Sequence, residues 1–69
     1  MRNYRMQTIL ENYRESCNQV TERIEELNKL LRHPVPPDVY RSLDDRRRVL
    51  REERLELLRS MQSLQGYCQ

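Results

Sequence analysis

Apolar residues recur along the first half of the chain with a fixed rhythm. Met6, Leu10, Tyr13, Cys17, Val20, Ile24, Leu27 and Leu31 follow alternating steps of four and three. Such an unbroken heptad seam predicts an amphipathic helix over about residues 3–32 that packs against another helix. Leu10, Cys17, Ile24 and Leu31 form one row of the seam, and Met6, Tyr13, Val20 and Leu27 form the other. Ile9 widens the apolar stripe on one flank.

The stretch His33-Pro34-Val35-Pro36-Pro37 ends that helix. Proline disfavours helical geometry at the residue before it, and inside a helix it removes a donor and clashes with the preceding turn. Pro36 and Pro37 also suit the first positions of a following helix. The second helix is expected over about 38–65, starting near Pro37 or re-capped at Ser42 by a Ser42–Asp45 box. Its seam is Tyr40, Leu43, Arg47, Leu50, Arg54, Leu57, Met61 and Leu64, with Val39 and Leu58 beside it. Gly66 fits a left-handed cap after the last turn, with Tyr67 folding back on Met61 and a tail over 66–69.

These elements give an all-α fold, a single domain over 1–69 built as an antiparallel two-helix hairpin of coiled-coil type. A proline link over 33–37 is too short to connect parallel neighbours. One hairpin gives each helix a single neighbour, so its stripe stays half covered. The pattern therefore predicts dimerisation into a four-helix bundle. The expected interface comprises Leu10, Tyr13, Cys17, Val20, Ile24, Leu27, Leu43, Leu50, Leu57, Leu58, Met61 and Leu64. A foreign helix is the competing way to cover the same stripe.

Size strengthens that expectation. A chain of 69 residues makes one domain and a marginal monomeric core. Charged residues are 35% of it and hydrophobic ones 36%, with one Gly and neither Trp nor Phe. That mixture suits long solvated helices.

Charge adds little. Thirteen Lys/Arg against eleven Asp/Glu leave a net charge of +2. The part before Asp38 holds six basic and five acidic residues, and the remainder seven and six. A strong polyanion binder has a larger or more segregated excess. Arg46, Arg47, Arg48 and Arg51 are the candidate nucleic-acid contact, together with Arg54. Asp44, Asp45, Glu52 and Glu53 dilute that cluster, and no aromatic lies within it to stack on a base.

Catalytic chemistry finds no footing. The single histidine, His33, lies sixteen residues beyond Cys17, roughly 24 Å along a helix. No triad can be assembled from them within one chain. A zinc site would need ligands from several chains, and a phosphate loop needs more than one glycine. Glu11, Glu15, Glu22, Glu25 and Glu26 lie outside the seam and read as a solvated face. Cys17 reads as a small core side chain, and in an antiparallel hairpin Cys68 lies some 20 Å further along the rod, out of disulfide reach. Glu25–Lys29 and Asp44–Arg48 are spaced as helical ion pairs.

No apolar run is long enough for a membrane span or a signal peptide's apolar core. Arg2, Arg5 and Arg14 faintly echo a targeting peptide but read as the first turns of the first helix. A reducing cytoplasm is the expected setting.

The functional expectation is thus a non-enzymatic protein–protein interaction module or small adaptor, self-associating and without cofactor, metal, membrane or small-molecule substrate. The alternative is a small nucleic-acid-binding regulator. The shape is like that of small hairpin dimers that bind structured RNA, an analogy that does not fix function.

Arg47 and Arg54 break the second seam, one heptad apart. Three readings are open. Their methylenes can cover the seam while the guanidinium reaches the bundle edge. They can instead set register by meeting a carboxylate such as Glu53 of a neighbouring chain, or Asn28 and Thr21. In the third reading they face an anionic partner.

Overall fold

The structure, a computed structural model, describes the backbone of residues 2–67 and the side chains of residues 5–66. Two helices, α1 (Arg2–Leu31) and α2 (Pro37–Tyr67), lie packed against each other. All four helix ends fall within two residues of the pattern's expectation.

The proline segment acts as predicted. Arg32 N donates to Lys29 O and His33 N to Leu30 O, each at 3.2 Å, so the end of α1 tightens into three-residue closures. Four residues later, at Pro37, the chain re-enters a helix. Pro36 O accepts from Tyr40 N at 2.9 Å, which makes Pro36 the residue before the first turn and Pro37 its first position. There the missing N–H costs nothing. Asp38 sits in that turn, where a carboxylate favours the positive end of the helix dipole. Of the two expected starts, Pro37 is the real one, and α2 runs through Ser42 without a second cap.

The far end corrects the reading of Gly66. No described glycine has a positive φ, and α2 continues through Gly66 to Tyr67. Glycine's freedom made a left-handed cap available, but nothing C-terminal in the described chain requires one. The Tyr67 side chain and Cys68 lie outside the described residues.

The hairpin is a rod of 54 × 14 × 12 Å with a radius of gyration of 15.9 Å. A compact domain of 69 residues would have about 11 Å. Among the described residues only Val20, Ile24 and Leu27 are buried, none of them completely, and all three lie on α1 in the half nearer the loop. The other described seam residues are half-buried, except Tyr40, which is exposed.

Candidate interaction surfaces

A two-helix layer has two broad sides, and side-chain geometry assigns the seam rows to them. Leu57 of α2 lines one shallow depression of about 280 Å³ together with Ile9, Asn12, Tyr13 and Ser16 of α1. The row Met6, Tyr13, Val20, Leu27 therefore shares a side with the row Leu43, Leu50, Leu57, Leu64. All eight positions are apolar or tyrosine. Ile9, Ser16, Arg23 and Leu30 flank this leucine side on α1, and Val39, Arg46, Glu53 and Ser60 flank it on α2.

Polar contacts define the opposite side. Arg47 Nη1 donates to Asn28 Oδ1 across the hairpin at 2.8 Å, and Arg47 Nη2 meets Asp44 Oδ1 at 2.6 Å. Asn28 borders the row Leu10, Cys17, Ile24, Leu31, which thus shares its side with Tyr40, Arg47, Arg54 and Met61. The Arg47 side chain is 19% exposed, and its Nε is buried without a hydrogen-bond partner. One carboxylate and one amide hold the guanidinium only in part. A second depression, lined by Gln7, Leu10, Glu11 and Arg14, lies on this arginine side and is mostly polar.

Arg47 thus takes up one of the contacts expected for a register-setting residue, but with Asn28 of its own chain. Thr21, the other polar candidate, instead donates Oγ1 to Cys17 O at 2.8 Å, one turn back along α1. Arg54 is half-buried, and no ion pair or hydrogen bond joins it to another described residue. Its position fits a side chain laid over the seam with its charge at the edge.

The expected interface residues divide three ways. Val20, Ile24 and Leu27 are already buried within the hairpin. Leu10, Tyr13, Cys17, Leu43, Leu50, Leu57, Met61 and Leu64 are half-buried seam residues with apolar surface to spare. Leu58 is exposed and sits on the arginine side. The seam pattern did not single out Val49. It is 61% exposed and lies between Arg46 and Glu53, three and four residues away, on the leucine side.

The expected basic cluster is divided. Arg47, Arg48, Arg51 and Arg54 share one face of α2, Arg51 lying four and three residues beyond Arg47 and Arg48 and three before Arg54, and Arg46 stands apart from them. Arg47 is turned inward. Arg48 is 68% exposed, with Asp44 at 3.7 Å and Asp45 at 3.9 Å. Arg46 and Arg51 are exposed, but five residues of α-helix set them well apart around the axis. The Asp44–Arg48 pair is therefore present but shares its carboxylate with Arg47. Glu25 and Lys29, spaced to pair, do not come within ion-pair distance, because nothing holds two exposed long side chains together.

Among the described residues no group of three or more His, Cys, Asp or Glu is arranged to hold a metal ion. Cys17 is a half-buried free thiol. No helix formed by the described residues is long and apolar enough to cross a membrane. No family model matches this chain, and neither a curated protein nor a solved structure is similar to it.

Proposed function

We propose that this chain is a non-enzymatic helical interaction module whose first partner is a second copy of itself, two hairpins forming a coiled-coil-like four-helix bundle. One observation carries the reading. The hairpin exposes 6015 Å² of accessible surface, where a compact monomer of 8.5 kDa would expose about 4,700 Å². The excess per copy is larger than the area one partner buries in a standard protein–protein interface, about 800 Å². Apolar side chains contribute to that surface, as half-covered seam residues and as exposed Ile9, Leu30, Val39 and Val49.

The nucleic-acid alternative has weaker support. It needs a contiguous basic face, whereas Arg47 is engaged internally and Asp44 and Asp45 stand against Arg48. A steep fall of any such affinity with salt would mark that alternative. A cytoplasmic setting fits a chain with a half-buried free thiol.

Sedimentation equilibrium tests the proposal. The solution mass should be at least twice 8.5 kDa, and the melting temperature should rise with concentration. A monomer at high micromolar concentration with a concentration-independent melt removes self-association and leaves a foreign helix as the partner.

A further inference from the structure

We infer that the second copy docks on the leucine side in antiparallel orientation, loops at opposite ends, with Arg46 of each chain against Glu53 of the other. The inference rests on the self-association proposed above and adds the face, the orientation and the register.

The face follows from what each side carries. The leucine side has no charge in either seam row, whereas the arginine side has Arg47 and Arg54 in its rows and Asn28 and Asp44 at its edges. Covering the arginine side would take two guanidinium groups out of water, one of them already short of a partner at Nε. Covering the leucine side buries Leu57, Tyr13, Ile9 and Val49, and its charges, Arg23, Arg46 and Glu53, lie on the flanks rather than in the rows.

Orientation follows from the charges flanking the leucine side. Leu57 lies amid Ile9, Asn12, Tyr13 and Ser16, so residues level with each other across the hairpin have numbers adding to about 70. Arg23 is then level with Arg46, Ser16 with Glu53, Leu30 with Val39 and Ile9 with Ser60. A two-fold axis along the rod, with loops at the same end, would lay α1 over α2 of the other copy at equal height. That arrangement sets Arg23 against Arg46, and symmetry repeats the clash.

A two-fold axis across the rod lays α1 over α1 and α2 over α2, reversed. With that axis level with Val49, Arg46 meets Glu53 of the second copy, and symmetry repeats the attraction. The same axis brings Leu30 at the loop end over Ile9 at the open end, beside the Tyr13–Leu57 depression. It also brings the two Val49 side chains together at the centre. One operator thus satisfies the charge pairs, an apolar knob with its hollow, and the most exposed of the large hydrophobic side chains.

Charge exchange at the paired positions tests this. Dimer Kd is measured by sedimentation equilibrium at low salt for the wild type, Arg46→Glu, Glu53→Arg, the double exchange, and an equimolar mixture of the two single variants. Each single variant replaces two attractions by two repulsions and should weaken its own dimer about tenfold. The double exchange should return to within about threefold of wild type. The mixture should form a heterodimer of similar affinity, because one chain then offers two glutamates and the other two arginines. An effect confined within one hairpin cannot produce that recovery on mixing. Single variants with unchanged Kd, or a mixture no tighter than its components, overturn the face and orientation while self-association stands. A wild-type chain that stays monomeric overturns both.

Discussion

In the loop half of α1, Val20, Ile24 and Leu27 are buried, while Leu31, Leu43 and Leu50 beside them stay half-covered; toward the open end, Leu10 and Tyr13 of the same α1 rows and Leu57, Met61 and Leu64 of α2 are all half-covered. The two regions have nearly the same pattern of apolar positions, so the pattern alone does not decide burial. In the loop half, Arg47 reaches from the α2 seam across to Asn28 of α1. In the open half the flanks include small Ser16 and Ser60, and a hollow remains between Tyr13 and Leu57. A heptad seam therefore says which way a residue faces and not how far it is covered.

Truncation should show that difference most strongly. Ile24→Ala, at a position 4% exposed, is expected to destabilise the fold by about 2–5 kcal/mol in urea or thermal unfolding. Leu57→Ala should cost clearly less than this at protein concentrations too low for association, and approach it where copies associate. Equal losses at both positions under dilute conditions would break the comparison.

The polar link between the helices gives the next effect, and it is asymmetric. Asn28→Leu leaves the Arg47 guanidinium with one fewer acceptor in a largely buried setting and should cost about 1–3 kcal/mol. Arg47→Leu removes the poorly satisfied group altogether and should change stability by less than about 1 kcal/mol, or raise it. If Arg47→Leu is the worse of the two, the link stabilises the hairpin more than its geometry implies.

The smallest effect is expected at Gly66. A Cβ built there meets nothing within 4 Å, and the residue is helical. Gly66→Ala should therefore stabilise by a few tenths of a kcal/mol, below the full interior value because the site lies in the last turn. A loss of stability would restore the left-handed cap that the sequence suggested.

Much of the architecture was legible in the sequence because it rests on periodicity and proline chemistry, both local. The two helices, the break over 33–37 and both seams follow from residues within one or two turns of each other. Arg47 and Arg54 announced themselves by interrupting a leucine row. What Arg47 binds was only half legible: Asn28 is placed by the hairpin's register, while Asp44, three residues back, was spaced equally well for Arg48 and serves both. The basic cluster was legible only as a run of residues: a helix sets Arg46 apart from Arg48 and Arg51, and Arg47 turns inward toward Asn28 and Asp44. The hollow at Tyr13 and Leu57 could not be read at all, since it depends on how small Ser16 is beside residues more than forty positions away.

The loop also has a consequence in time. Every contact between α1 and α2 closes a chain segment, and the segment is shortest beside the five-residue link from Arg32 to Pro36 and longest at the open end. Loop-closure entropy rises with that length, so pairing is least costly to begin at the prolines and to extend outward like a zipper. Amide exchange should then be slowest around Val20–Leu27 and Leu43–Leu50 and quicken steadily toward Leu10 and Leu64, a gradient that one hinged end imposes on an otherwise repetitive rod.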